Sequence, residues 1–539
     1  MTWFLFHGNS GFGLSYDEVQ RTNNVIPLLR PEIESLGQEN SSVSVFGFTI
    51  PLTYKTYIST AMIPLYLPLG LFQDWVVGLR ALYAIYTFLG AATGFLLFRR
   101  LWYWPAVVVP LLALTSPLIY PEIAYGFVTV LHFVPLLCAG RLFAAYLRKN
   151  SLKLLFGAAF LTGLAMNFTL YIAWSVFGLG VAFIIVAPKR AGTTLFRGWN
   201  PLVILSGAAI GMFNYVYYNV TEGFPSVRHL LVHLIPGKGD EIGVVDGLPV
   251  TRDAFGELGR KLARLYEILN AAAPAVVGLC IVVGAVHAAV LVVVLRDKSW
   301  SKYRWLFLPG LATVIGCAAV LLSPDTTRAG HYGMLTGLGE AAVVCTFVMA
   351  LRAFGGRVPV LRRKLTAGLL AGVLVTGGAL YSRASVDAIL REGGFSQFSS
   401  AVFGFLDYVV SNGVSPDELL EVQWGTSTQL FFVTKGNFRA NDETMVRLME
   451  VSAEERPALI AEAVQARGGE MLVPLYLNGP FPEMKDAVLG AARLLENRIC
   501  LEAEFARADG QVDMVLYRLG GRDSALGAEG EIGACTSSR

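Results

Sequence analysis

Two adjacent carboxylates near the start of the chain have the residue types and spacing for acid–base chemistry. Asp17 and Glu18 lie in a polar stretch ahead of the first long apolar segment of this 539-residue chain. A carboxylate beside an apolar surface has a raised pKa, which suits it to act as a general base. Two neighbouring carboxylates can also hold a divalent metal ion. The pair therefore predicts a catalytic base, with a metal site as a second possibility. The alternative interpretation is that both are ordinary solvated loop acids.

Arg80 and a short motif around Arg328 are candidates for binding an anion. Arg80 interrupts an apolar segment, where arginine usually faces a cavity or an anion. It also lies close enough to the end of that segment to extend to lipid headgroups instead. Arg328, His331 and Tyr332 stand at the start of another apolar segment. Basic side chains beside the free N–H groups of a helix start predict a phosphate site, with lipid headgroup binding as the alternative.

Four more residues are predicted to line a cavity shared with these groups. They are Lys55, Tyr57, Glu122 and His132. Glu122 stands at a turn, and the alternative interpretation is a loop acid without function. His132 lies in an apolar segment, and the alternative interpretation is that it only packs against its neighbours. The chain has no Cys or His spacing typical of a zinc site.

The composition indicates that these residues are positioned by membrane helices. Hydrophobic residues make up 54% of the chain and charged residues only 15%, and a water-exposed protein of this length needs more charge to cover its surface. The predicted fold is an α-helical polytopic membrane protein with about ten transmembrane helices. The predicted spans are 76–98, 103–120, 125–147, 154–170, 172–187, 201–218, 273–295, 305–323, 335–351 and 366–382.

Basic residues predict how these spans are oriented. Alternate loops contain clusters of Lys and Arg. Among the short loops between them, Arg328 is the only Lys or Arg. Because basic loops stay cytoplasmic, the loops around Asp17, at 219–270 and at 324–334, together with the C-terminal region, are predicted to be non-cytoplasmic. A starting segment too short to span suggests a truncated first helix, with an interfacial segment as the alternative.

The chain divides by composition into three predicted domains. Residues 1–75 hold the truncated helix, the acidic pair and a stretch of Tyr and Pro expected to form short surface helices. Residues 76–384 form the transmembrane domain with the outer loop 219–270. Residues 385–539 are predicted to be a soluble α/β domain with a disordered tail.

Local patterns predict the elements of that last domain. Strands are predicted at 429–434, 471–477 and 512–517, and helices from Ser452 through 466 and at 483–497. Cys500 and Cys535 fall in this domain and can pair in an oxidising compartment.

In layout the chain resembles the GT-C superfamily of membrane glycosyltransferases, in particular the branch similar to protein O-mannosyltransferases and aminoarabinose lipid A transferases. The resemblance rests on the acidic pair in the first outer loop, and on the segment that begins Gly78-Leu79-Arg80 and ends in Arg99-Arg100. It also rests on the stretch 155–167 and on the Arg–Tyr element at 328–332. It covers residues 15–380, and the chain departs from the family in lacking a complete first helix and in carrying His132.

The resemblance implies a donor sugar on a polyprenyl phosphate and inverting transfer to a lipid, glycan or protein acceptor. Asp17 then matches the catalytic base, and Arg328, helped by His331 or Arg80, stabilises the phosphate. Some relatives use a divalent metal at the acidic pair, and no other cofactor is implied. The expected location is a bacterial inner membrane, in contact with its lipids, with the active site and C-terminal domain on the periplasmic or extracellular side.

Two other functional classes stay open at this point. One is a transporter or flippase for a lipid-linked or anionic substrate, with Arg80 and Arg328 as its binding groups. The other is a non-catalytic assembly protein whose C-terminal domain binds a partner. A nucleic-acid partner is not expected, because the chain has no basic nucleic-acid patch.

Overall fold

The structure, a computed structural model, describes the chain in a series of segments. These are residues 19, 22–23, 25–33, 41–45, 48–55, 58–101, 132–168, 170–226, 274–296, 300–322, 341–343, 345–346, 348–349, 376, 387, 391, 399–423, 425–439, 443–478, 483–520 and 532–535. They form an N-terminal part, a set of apolar helices and a C-terminal domain.

The N-terminal part contains a small antiparallel sheet. After a four-residue helix α1 (Ile26–Leu29), strands β1 (Ser41–Val45), β2 (Phe48–Lys55) and β3 (Ile58–Ser59) pair in the order β1-β2-β3. The sequence predicted short surface helices in this region, and this sheet was not predicted. Ser and Thr alternate here with Val, Ile and Leu, and this period of two favours a strand.

Proline fits into this sheet and into the turns that follow it. Pro51 lies opposite Ser42, next to the register shift between β1 and β2, a position where the ladder is already interrupted. The chain then forms two short 3₁₀ helices, Thr60–Leu65 and Leu67–Leu71.

Nine helices of the apolar region are described, and their ends follow local rules. They are α2 (Trp75–Leu101), α3 (Phe133–Lys149), α4 (Leu152–Met166), α5 (Ala173–Val186), α6 (Pro188–Phe196), α7 (Asn200–Gly211), α8 (Phe213–Thr221), α9 (Pro274–Arg296) and α10 (Trp300–Leu322). Asp74 caps the start of α2, accepting hydrogen bonds from the N–H groups of Val76 at 2.8 Å and Val77 at 3.1 Å. Asn150 ends α3 in the left-handed conformation, with φ of 49°.

The prediction of a polytopic protein with about ten transmembrane helices is wrong for the part of the chain that the structure describes. No single helix there is both long and apolar enough to cross a membrane, and only α7 and α8 together reach that length and composition. This pair is bent by 87° at its break. Within the longer helices, the apolar stretches found are Trp75–Tyr86, Gly284–Arg296 and Tyr303–Ala319, of 17 residues or fewer.

Helix ends that a hydropathy window does not detect account for two of the predicted spans. The predicted spans 154–170 and 172–187 correspond to α4 and α5, which have 15 and 14 residues. At 1.5 Å per residue, each helix extends about 22 Å, short of the roughly 30 Å of hydrocarbon in a bilayer. The predicted spans at 103–120 and, except for residue 376, at 366–382 lie outside the described residues, as does most of the loop 219–270.

Glycines let the apolar helices approach each other at the level of the backbone. α4 packs against α3 and α7, and α5 packs against α10. A Cβ added at Gly211 of α7 would lie 2.2 Å from the carbonyl oxygen of Phe160 in α4. A Cβ at Gly178 of α5 would lie 2.5 Å from the carbonyl oxygen of Ala312 in α10. Small residues at such positions are what permits this close helix packing.

The C-terminal domain is built on a three-stranded antiparallel sheet. Its elements are α11 (Ala401–Ser411), α12 (Thr426–Val433), α13 (Glu443–Glu450), α14 (Arg456–Ala466), β4 (Met471–Tyr476), α15 (Glu483–Leu494), β5 (Ile499–Ala506) and β6 (Val512–Leu519). The strand order is β4-β6-β5, with both pairs antiparallel. Helices and an antiparallel sheet make this an α+β arrangement, not the predicted α/β domain.

Some local predictions for this domain are confirmed and one is wrong. Strands β4 and β6 and helices α14 and α15 lie where the sequence predicted them, and β5 was missed. The predicted strand at 429–434 lies instead in and directly after helix α12, and α12 is buried from Thr426 to Phe432. A short apolar run without polar alternation is compatible with a buried helix as well as with a strand. The periodicity of the sequence therefore could not distinguish the two.

The sheet has a separate hydrophobic core on each face. On one face, Met514 and Leu516 pack with Phe405 of α11, Phe431 of α12 and Leu79 of α2. On the other face, Val473, Leu475 and Val515 pack with α14 and α15. The first core therefore joins the C-terminal domain to the N-terminal part and to the start of α2. The Cys500–Cys535 disulfide attaches the last described residues to β5, as the sequence suggested.

Candidate functional site

The structure describes three of the ten residues predicted to form a site. Asp17, Glu18, Tyr57, Glu122, Arg328, His331 and Tyr332 lie outside the described residues. Lys55 is the last residue of β2. Arg80 and His132 are described in full, and both are buried.

Arg80 is held inside the protein near the start of α2. It is 8% exposed, and its guanidinium carbon lies 5.7 Å from the centroid of the Phe403 ring in α11. This distance is in the range of a cation–π contact, which is stronger when the cation is removed from water. The burial places the charge within the protein and not at the surface, where a side chain extended to lipid headgroups would lie.

His132 is fully buried at the start of α3. α3 packs against α2, and Leu136, one turn after His132, packs on the core that contains Leu79 and Leu82. These two leucines stand on either side of Arg80 in the chain. The structure therefore brings the elements that carry Arg80 and His132 against one core.

The segment directly after the acidic pair is buried in the same core. Val19, the residue after Glu18, is fully buried there with Leu79 and Leu82. The Thr22 hydroxyl donates to the Val19 carbonyl at 2.7 Å, and the Asn23 amide donates to the Thr428 carbonyl in α12 at 3.3 Å. The N-terminal segment is thus attached both to α2 and to the C-terminal domain.

A buried polar cluster in the C-terminal domain was not predicted from the sequence. Its members come from the segment before α12, from α12 and from two strands: Glu421, Gln423, Gln429, Tyr476 and Asp513. Each is at most 3% exposed. Buried polar groups are costly unless they are hydrogen-bonded, so the contacts of each one show what it does.

Glu421 and Gln423 attach the segment before α12 to its neighbours. The Glu421 carboxylate accepts hydrogen bonds from the N–H groups of Gly425 at 2.7 Å and Ser427 at 3.4 Å, at the start of α12. A negative charge at a helix N-terminus is favourable. Gln423 accepts from the N–H of Tyr476 at 2.7 Å, and its amide approaches the Tyr476 carbonyl at 3.5 Å. Its side chain thereby substitutes for a backbone partner along the free edge of β4.

Tyr476 and Asp513 form the inner part of the cluster. The Tyr476 hydroxyl donates to Gln429 at 3.3 Å. Burial raises the pKa of Tyr476 above its usual range, the hydrogen bond that its hydroxyl donates to Gln429 lowers the pKa in part, and the charges of Glu421 and Asp513 raise it again. Asp513 accepts from the Asn478 amide at 2.8 Å through Oδ1, while its Oδ2 has no hydrogen-bond partner among the described residues.

The cluster links α12 to the sheet through the hydrogen bonds of Gln423, Gln429 and Tyr476. Within the described part of the chain, no group of three or more His, Cys, Asp or Glu side chains could hold a metal ion. The cluster is therefore a polar core that positions α12, on which Asn23 rests. The sequence signal that could have revealed it is the alternation of polar Glu421 and Gln423 with the buried residues Leu420 and Val422.

Comparisons with known proteins identify no relative of this chain. No family model, no curated protein and no solved structure matches the chain. The resemblance to GT-C glycosyltransferases thus rests on short sequence motifs alone: those around Asp17, Arg80 and Arg328 and the stretch 155–167.

Proposed function

We propose that the chain is a glycosyltransferase that takes a sugar from a polyprenyl-phosphate donor, with Asp17 as the base and Arg80 near the donor phosphate. One observation carries this proposal: Val19 is buried in the same core as Leu79 and Leu82, which stand on either side of Arg80 in the chain. Two residues of extended chain reach about 7 Å. Asp17 stands two residues before Val19 in the chain, and we propose that it acts close to Arg80.

This arrangement supplies what an activated sugar phosphate requires. The leaving group is already a phosphate, so the protein needs a base for the acceptor proton and a cation for the developing charge. Arg80 is almost entirely removed from water, and a charge acts more strongly where the local dielectric is low. Arg328 and His331 are the further donors proposed for the phosphate. His132 and Glu122 are proposed to line the cavity.

Exposed apolar side chains support the choice of a lipid-linked donor. Large hydrophobic residues are exposed on α2, α5, α7 and α9, among them Phe88, Phe177, Leu205 and Val292. Exposed apolar side chains in such number favour a contact with lipid or with another protein. Contact with membrane lipids is therefore part of the proposal. The Cys500–Cys535 disulfide supports an oxidising, non-cytoplasmic location for the C-terminal domain.

Transfer from a defined donor tests the proposal. Initial rates would be measured with a synthetic polyprenyl-phosphate sugar for the unchanged chain, Asp17→Asn and the matched control Asp417→Asn. We expect Asp17→Asn to lose roughly 10²–10⁴ in rate, the usual contribution of a general base, with Asp417→Asn unchanged. Asp417 is an exposed acid in the C-terminal domain, so it controls for the loss of one carboxylate.

The donor dependence of the rate tests the role of the cations. Arg80→Ala and Arg328→Ala should each lower the apparent donor affinity about tenfold to a hundredfold, since a hydrogen bond to a charged group contributes about 1.5–3 kcal/mol. Arg498→Ala, which removes an arginine from the C-terminal domain, is the control. The contrary outcome is that the chain moves the donor between leaflets without transferring its sugar, with Asp17→Asn having no effect on that movement. Such a result would favour the flippase interpretation over this proposal.

A further inference from the structure

Helix α6 packs against α5 and α7 and presents a basic face. Ala191 is buried on Phe183 and Ala187, in a small core that includes Leu147 of α3. Lys189 and Arg190, in contrast, are exposed. A short helix with one apolar face against the protein and one basic face outward has the pattern of a helix that lies along an interface.

One buried asparagine holds the end of α3 beside α6. The Asn200 amide, which is buried, donates to the Tyr146 hydroxyl at 2.8 Å and approaches the Thr193 carbonyl at 3.1 Å. Tyr146 is in the last turn of α3, and Thr193 is in α6. The basic residues that end α3, those that follow in α4 and those of α6 are therefore brought to one place.

We call this place the basic end, and its charge is of one sign. It consists of Arg148, Lys149, Lys153, Lys189, Arg190 and Arg197, all of them exposed. Residues 132–221 contain no Asp or Glu at all, so no acid from the same stretch neutralises this charge. A concentrated positive patch of this kind attracts an anionic surface.

Exposed aromatic side chains adjoin these cations. Phe196 is 80% exposed and Trp199 is 70% exposed, on either side of Arg197. Leu152, beside Lys153, is also exposed. Aromatic rings next to Lys and Arg are typical of the boundary between water and hydrocarbon, where the ring enters the headgroup layer and the cation meets phosphate.

We infer that the basic end is a docking surface for an anionic phospholipid bilayer. The cations bind headgroup phosphates, and Phe196 and Trp199 insert between the headgroups. A nucleic acid duplex would also meet the charge, but its stacked bases would leave Phe196, Trp199 and Leu152 in water. The inference does not depend on the proposed sugar transfer, because the basic end shares no residue with that site.

Vesicle binding by the full chain tests this inference. Binding would be compared on vesicles of phosphatidylcholine alone and on vesicles that also contain phosphatidylglycerol. The variants are the triple change Lys189→Gln, Arg190→Gln, Arg197→Gln and a control triple, Arg447→Gln, Lys485→Gln, Arg493→Gln. The control removes three exposed cations from the C-terminal domain.

We expect the basic-end triple to lower affinity for the anionic vesicles roughly a hundredfold, the effect of three cations lost near a charged bilayer. The basic-end triple should keep its affinity for vesicles of phosphatidylcholine alone. The control triple should keep its affinity for both kinds of vesicle. Arg197→Gln alone should give roughly a fivefold loss, and Trp199→Ala should weaken binding to both vesicles. Equal binding of the unchanged chain to both vesicles, or equal losses in the two triples, would overturn the inference.

Discussion

The helical region α3–α8 and the C-terminal domain are held together in opposite ways. In the C-terminal domain the largest apolar side chains, such as Phe405, Phe431 and Phe432, are fully buried. In the helical region, Phe177 and Leu205 are exposed, and backbones meet where Gly211 and Gly178 have no side chain. Large side chains fill the core of the C-terminal domain. In the helical region, the lack of a side chain at glycine allows the helices to pack closely.

The two regions place different requirements on their surroundings. Burying large apolar side chains is driven by water, so the C-terminal domain carries its own driving force for folding. Packing through glycine gains mainly from close backbone contact and leaves large side chains to be covered from outside. The two regions should therefore respond to different kinds of substitution.

Truncating a core aromatic should have the largest effect, and it should act on the C-terminal domain. Phe431→Ala removes a fully buried ring from α12, and such a change costs about 3–5 kcal/mol. The free energy of unfolding of this domain would be measured by urea-dependent proteolysis. Val446→Ala, at an exposed position of α13, is the control and should change little. Equal urea midpoints for the two variants would contradict the account of this core.

Removing the disulfide should have a smaller effect on the same domain. Cys500 and Cys535 are separated by 35 residues, and cross-links of this kind contribute about 2–4 kcal/mol to stability. The double variant Cys500→Ser, Cys535→Ser should show this loss in the same proteolysis assay. Reduction of the unchanged chain should reproduce it, and the double variant should be insensitive to the reductant. A loss that appears in the variant but not on reduction would exclude the cross-link as its cause.

Adding one methyl group should have the smallest effect, and its sign should depend on position in α5. Gly178→Ala places a Cβ 2.5 Å from a backbone oxygen of α10, whereas Gly180→Ala places one in open space. We expect the first to cost about 1–3 kcal/mol through overpacking, and the second to stabilise by roughly 0.5–1 kcal/mol, because alanine is the better helix former. Thermal unfolding of the full chain compares them. The same sign for both would show that backbone contact does not hold α5 on α10.

Local patterns predicted part of the fold and little of the candidate site. Strands β4 and β6 follow from apolar runs bounded by turn residues, and α14 and α15 from helical periodicity. The β1–β2 pairing and the helical state of 429–433 were missed. The burial of Arg80 agrees with its apolar sequence neighbours, but its contact with Phe403 could not be read from a chain separation of several hundred residues.

Neighbouring residues along the chain are enough to set some properties, such as an apolar region with basic charge only over 132–221 and the strands β4 and β6. The length of each apolar helix, and the pairs of distant groups that meet, depend on the tertiary structure. Asn23 with Thr428 and Gln423 with Tyr476 are such pairs. The physical reason is that backbone preference is set within a few residues, whereas a buried polar group selects its partner from whatever the whole fold brings within hydrogen-bond distance.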